Sequence, residues 1–241
     1  MYHLYQKSEV SFAVLWIVLY CVITIPIRGN FGDESIFMFI ALALIATALT
    51  LFIKKYHLEE KYGLDGWPKN CARFLYFIPA WILVTGNIWG GIDFAYSGLA
   101  QVFAVLSMFL IGYIEEIIFR GFLFKGMLPK DGVKTSIIVV AITFGIGHIV
   151  NLFAGQANLE TIAQVFFAIA WGFIMVCMFY TSQSLWPCIV MHGLIDALSK
   201  FLLDNPTLQW VYIVATIVVA IAYCTYLLKL PRTEKTASQK L

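Results

Sequence analysis

The sequence predicts an all-α, polytopic membrane protein with eight transmembrane helices, and three observations carry that prediction. The chain of 241 residues is 61% hydrophobic and 12% charged, with a mean hydropathy of +0.84. That is more apolar surface than a soluble core of this length needs. The apolar residues run in blocks rather than alternating. A barrel's strand-period pattern is therefore absent, and helices are the way such segments satisfy their own backbone groups in lipid. Charges fall between the blocks or at their ends, with six ionisable exceptions: Glu115, Glu116, Arg120, His148, His192 and Asp196.

A span needs roughly 20 apolar residues, about 17–25 with tilt. The first candidate, Val10–Ile27, is too long for a signal-peptide core and lacks a small-x-small cleavage site, so it reads as retained. The second, Ile36–Ile53, is uniformly apolar. The third, Phe74–Trp89, is short, with Pro79 near its end. The fourth, Leu99–Ile118, holds Glu115 and Glu116, and the fifth, Thr135–Val150, is short and holds His148. Thr161–Tyr180 follows without a charge. Leu185–Leu202 contains Pro187, His192 and Asp196, and Leu208–Leu228 closes the series. Residues 1–241 read as one membrane-embedded domain, with its motif-bearing core at about 99–200; repeats and low-complexity tracts are absent.

Lys and Arg counts orient the bundle. With the N-terminus inside, the cytoplasmic segments hold Lys7, then Lys54, Lys55, Lys61, Lys69 and Arg73, then Arg120, Lys125, Lys130 and Lys134. Lys229, Arg232, Lys235 and Lys240 complete that side, leaving Arg28 and Lys200 opposite. Both termini are expected in the cytoplasm, the short polar tail Pro231–Leu241 included. A net charge of +2 gives no reason to expect nucleic acid as a partner, and topology alone explains the basic loops. Those loops should lie against anionic headgroups, with Trp67 and Trp186 near the interfaces. The five cysteines are scattered without a CxxC pair, which argues against a disulfide framework or a thiolate metal site.

The six exceptions form three clusters, and an ionisable residue at bilayer depth is a functional-site hypothesis by default. In Glu115-Glu116-Ile-Ile-Phe119-Arg120, Glu116 and Arg120 are i,i+4 neighbours with the acid first, the favourable order. Glu115 points about 100° away, without a local partner. A lone carboxylate in an apolar setting is a strong base, as water activation requires. The plainer alternative places all three at a solvated cytoplasmic edge. In Phe144-Gly-Ile-Gly147-His148, Phe144 and His148 share a face. Gly145 and Gly147 remove bulk around the ring, making room for a neighbouring helix or a substrate chain. Alternatively, His148 simply bonds a backbone carbonyl. In His192-Gly-Leu-Ile-Asp196, the spacing lets Asp196 orient His192, lets both bind a divalent metal, or makes a self-satisfied pair. At helical rise, Glu115, His148 and His192 lie roughly 15, 21 and 14 Å from their cytoplasmic helix ends. In a core about 30 Å thick, one intramembrane site between the fourth, fifth and seventh spans follows.

These motifs, in this order, resemble the CAAX protease and bacteriocin-processing (CPBP, or Abi) family of intramembrane proteases, whose pattern is EExxxR, FxxxH and HxxxN or HxxxD. The resemblance covers about Leu99 to Lys200. It implies an eight-helix bundle with a cavity open to the cytoplasmic side and to lipid. It also implies hydrolysis of a peptide bond near a substrate's C-terminal end, or cleavage of a leader or signal segment. Glu115 and His148 would activate water, and His192 with Asp196 would polarise the scissile carbonyl and hold the oxyanion. Glu116 and Arg120 would support the site, and Phe119 and Phe144 would line the substrate cavity. The family includes members described as metalloproteases and others as glutamate-activated. The cofactor is thus either none or a divalent metal, zinc first, with Glu115, His148, His192 and Asp196 as its candidate ligands. There is no HExxH helix.

The expected partners are a peptide or membrane-protein substrate and the bilayer itself. Compact size and the absence of organelle signals point to a bacterial plasma (inner) membrane, crossed several times. Two other classes fit less well. A proton- or ion-coupled transporter also uses buried Glu, His and Asp, but transporters commonly carry inverted repeats. A non-catalytic scaffold or immunity protein would have no need of three complete motifs.

Overall fold

The computed structural model describes residues 1–155 and 157–232; the tail beyond Arg232, with Lys235 and Lys240, lies outside them. Helix α1 (Tyr2–Lys7) leads into α2 (Glu9–Phe31), which Ser8 caps by accepting from the Ser11 amide at 3.1 Å. Helix α3 (Ile36–Lys55) starts at a second serine cap, Ser35. The segment Cys71–Ile88 is irregular. Leu75, Tyr76 and Phe77 have positive φ, and only α4 (Ile78–Val84), with Pro79 in its first turn, is regular helix. Helix α5 (Gly98–Glu116) passes into a π-helical run, Ile117–Phe124, and then into α6 (Lys125–Gly147). Helices α7 (Asn158–Ser182), α8 (Trp186–Leu198) and α9 (Pro206–Lys229) complete the bundle.

Among the described residues, six helices are long and apolar enough to cross a membrane, against the eight expected. The difference has two local causes. The fourth and fifth expected spans are joined in one helical stretch, Gly98–Phe153, broken only where Gly132 takes φ +74°. The seventh, expected over Leu185–Leu202, forms a regular helix of only 13 residues, Trp186–Leu198.

The outer faces are those of a lipid-facing bundle. Val14, Val18 and Val22 on α2 and Val214, Val218 and Ile221 on α9 are exposed at helical spacing, a stripe with no protein partner among the described residues. The inner faces form one apolar cluster drawn from α1 through α9. Trp186 Nε1 donates to the Leu64 carbonyl oxygen at 3.1 Å, and Trp67 is about half exposed. The five cysteines are unpaired; Cys177, Cys188 and Cys224 fill the interior.

Two glycine contacts set the site. A Cβ on Gly112 of α5 would sit 2.6 Å from the Gly193 amide nitrogen of α8, and one on Gly193 would meet Phe109 Cδ1 at 2.6 Å. The backbones of α5 and α8 therefore approach as closely as helices can. That crossing lies beside Glu115 and Glu116 on one helix and His192 on the other.

Candidate active site

His192 is the hub. Its Nδ1 donates to Glu116 Oε1 at 2.8 Å, while its Nε2 lies 3.4 Å from Asp196 Oδ2 and 3.8 Å from Glu115 Oε2. Glu116 Oε1 also lies 3.0 Å from Arg120 Nη1, so the expected i,i+4 pair exists and extends to a second helix. Glu116 and Arg120 are completely buried. The ion pair is close but poorly aligned: none of the three Arg120 nitrogens has a hydrogen-bond acceptor in good geometry among the described residues. The guanidinium instead lies over the Phe144 ring, 4.1 Å from its centroid. Arg120, counted among the basic loop residues, is thus an interior group of the π-helical run.

Glu115 is not partnerless, as its spacing on α5 had implied. Its Oε1 accepts a hydrogen bond from the Tyr20 hydroxyl of α2 at 3.0 Å. The carboxylate is only 13% exposed, so it does not sit at a solvated edge. His148 ends α6, and its Nδ1 lies 3.1 Å from the carbonyl oxygen of Phe144, one turn back. A carbonyl only accepts, so Nδ1 carries a proton and Nε2 is the ring atom left free of that bond. Phe144 stands edge-on to Phe119, His148 and His192, with centroids 5.2, 5.3 and 5.5 Å away. One ring thereby holds residues from three helices.

Glu115, Phe119, Phe144, His148 and Asp196 all line one cavity of about 640 Å³, between α2, α5, α6 and α8. That size suits a short peptide segment or a few side chains. A second cavity, about 60 Å³, lies behind His192 and is lined by Glu116, Trp171 and Met175. Glu116 Oε2 has no hydrogen-bond partner there among the described residues, which is the setting of an internal water.

The main cavity is polar at one end. Its polar rim is formed by Arg28, Asp33, Glu34, Tyr96 and Lys200, at the end of the bundle opposite the Lys-rich loops. Asp33 ties that rim together, accepting from Arg28 Nε at 2.7 Å and from Lys200 Nζ at 3.0 Å. Burial works against ionising Asp33, but the two cations prevail and hold its carboxyl below the ordinary range. Burial first, and then the neighbouring acids Glu34 and Asp33, push the Tyr96 phenol up to about 12.

The ligand set expected for a metal is only partly gathered. Among the described residues, no three His, Cys, Asp or Glu side chains are grouped to hold an ion. Both His192 nitrogens face carboxylates, Nδ1 towards Glu116 and Nε2 towards Asp196.

Residues 97–198 match the Rce1-like family of type II CAAX prenyl endopeptidases. No curated protein matches the chain. The Rce1-like segment covers under half of the sequence, yet it holds all three clusters and runs from the start of α5 to the end of α8. Tyr20, Arg28 and Asp33 lie before it. No spacing signal marks Tyr20, whose partner is 95 residues away, so sequence reading missed it.

Proposed function

We propose that this protein is a multi-pass intramembrane endopeptidase that hydrolyses a peptide bond with water activated by Glu115 and His148. The observation that carries this reading is one cavity whose walls bear Glu115, His148 and Asp196 beside a buried His192, inside the segment similar to type II CAAX endopeptidases. Tyr20 orients Glu115, and Phe144 fixes the His148 ring through its carbonyl and its edge contact.

In the reaction, Glu115 or His148 Nε2 takes a proton from water, and the oxygen attacks the scissile carbonyl carbon. The carbon–nitrogen bond then breaks, and the proton passes to the leaving amine. Glu116 holds Nδ1 of His192, so Nε2 faces the cavity side and donates to the developing oxyanion. Asp196 cannot donate while ionised; its place 3.4 Å from Nε2 suits orientation of the ring. This chemistry runs on side chains and needs no resident metal.

On this reading α5, α6 and the short α8 supply the fourth, fifth and seventh of eight passes, with both termini cytoplasmic in a bacterial plasma membrane. Leader peptides and membrane-anchored peptides are the substrate class this favours. Purified Glu115→Gln and His148→Ala should lose cleavage of reporter peptides while keeping the wild-type circular dichroism spectrum. Cleavage at the wild-type rate by either one would sink the reading.

A further inference from the structure

Two side-chain amides outside the three clusters lie against the site. Arg28 Nη1 donates to Asn151 Oδ1 at 3.0 Å, and Asn151 Nδ2 donates to Gln164 Oε1 at 2.8 Å. An arginine carries only donors, so it fixes which end of each amide is the oxygen. Asn151, which is buried, must turn its oxygen to Arg28 and its NH2 group to Gln164. Gln164 in turn gives its oxygen to Asn151 and keeps both N–H groups of Nε2 unused; among the described residues they have no acceptor.

Gln164 stands where such donors matter. It lines both cavities, which among the described residues only Phe144, His148 and Asp196 also do. Close packing brings it there. A Cβ on Gly145 of α6 would sit 2.7 Å from the Ile169 amide nitrogen and 2.9 Å from the Val165 carbonyl oxygen of α7. The two backbones therefore touch beside Gln164, three residues before His148. Amide hydrolysis builds a negative oxygen that N–H groups already in place stabilise best. His192 Nε2 is drawn toward two carboxylates, Asp196 Oδ2 at 3.4 Å and Glu115 Oε2 at 3.8 Å, and an ionised Asp196 only accepts. Gln164 is neutral, brings two donors and is held by its oxygen. We propose, resting on the endopeptidase reading above, that Gln164 is a further catalytic residue whose Nε2 donates to the oxyanion formed as water attacks the scissile carbonyl. Asn151 and Arg28 are its positioning residues, holding the amide oxygen so that the N–H groups face the cavity before a substrate arrives. No bond to Gln164 forms or breaks, and it keeps its protons throughout.

Steady-state cleavage of reporter peptides by the purified full chain tests this. Wild type is compared with Gln164→Leu, Asn151→Asp and the double variant, with Glu115→Gln marking lost chemistry and circular dichroism checking that each protein is folded. Gln164→Leu should lose about 10²- to 10³-fold in kcat while KM stays within a few-fold, the signature of a donor used in the transition state. Asn151→Asp keeps an acceptor for Arg28 but has no donor for Gln164, so kcat should fall about tenfold. That variant carries the test where Gln164→Leu does not fold. The double variant should lose no more than Gln164→Leu alone, because the relay then has nothing to orient. A wild-type kcat in either folded single variant, a change in KM alone, or additive losses in the double variant overturns the proposal, and an inactive Glu115→Gln beside any of these leaves the endopeptidase reading standing. Equal cleavage by wild type and Glu115→Gln, or no cleavage by wild type, removes that reading and the proposal with it.

Discussion

Replacing Glu116 by Gln separates structural support from chemistry. One oxygen, Glu116 Oε1, serves His192 Nδ1 at 2.8 Å and Arg120 Nη1 at 3.0 Å, and the Arg120 side chain is wholly buried. Gln keeps the shape and one acceptor but removes the carboxylate that, among the described residues, is paired with that cation. Breaking a buried pair from one side costs about 3–5 kcal/mol, since the remaining charge is left without a partner. Against a total stability of roughly 5–15 kcal/mol, that is a large fraction. It corresponds to a shift of about 10²- to 10³-fold or more in the folding equilibrium. Thermal unfolding of the purified protein in detergent, followed by circular dichroism, reads it. Glu115→Gln, which keeps an acceptor for Tyr20, should stay within about 1.5 kcal/mol of wild type in the same assay. The double change Glu116→Leu with Arg120→Met should recover much of the loss, because both charges leave together. A Glu116→Gln protein as stable as wild type, or a Glu115→Gln protein that unfolds, would refute the division of labour between the two acids.

Tyr20→Phe removes the 3.0 Å hydrogen bond to Glu115, and loss of a bond to a charged group, about 1.5–3 kcal/mol, should appear as a fall in kcat of about tenfold to hundredfold. Unchanged kcat would remove Tyr20 from the site. Gly112→Ala would force a methyl against the Gly193 amide at 2.6 Å; the folded yield should drop sharply, by about 1–3 kcal/mol in stability or more, and size-exclusion profiles would show it. Asp33 is an acid held ionised by Arg28 and Lys200. Its folded-state pKa is depressed, so its contribution is present above the ordinary value of 3.8 and disappears as pH falls through the lower folded value. Melting curves from pH 6 down to about 3 should therefore show a steeper acid loss for wild type than for Asp33→Asn, and parallel curves would contradict it.

The three clusters were legible because their chemistry is local. Glu116 with Arg120, Phe144 with His148, and His192 with Asp196 each lie four residues apart on a helix, where spacing alone predicts a shared face. Their union across α5, α6 and α8 follows from the cost of placing such groups in lipid. What spacing cannot show is the third dimension. Tyr20 sits in the apolar middle of α2, and its meeting with Glu115 depends on how that helix packs. The π-helical run Ile117–Phe124 keeps the Glu116–Arg120 contact while turning Arg120 inward, so a residue read as a basic loop charge is an interior one. The first turns of α6 carry Lys125, Pro129 and Lys134, which in sequence read as a loop between spans, yet only Gly132 departs from helical geometry there. The aromatic cluster of Phe12, Phe52, Tyr62 and Phe122 likewise draws its rings from four separate places in the chain.

The most direct test of the central claim is cleavage of a fluorogenic membrane-peptide library by the purified protein, wild type beside Glu115→Gln, each with and without a chelator. The account predicts cleavage by wild type that survives chelation and is absent in Glu115→Gln. Equal cleavage by the two proteins, or wild-type cleavage that chelation abolishes and zinc restores, would contradict it.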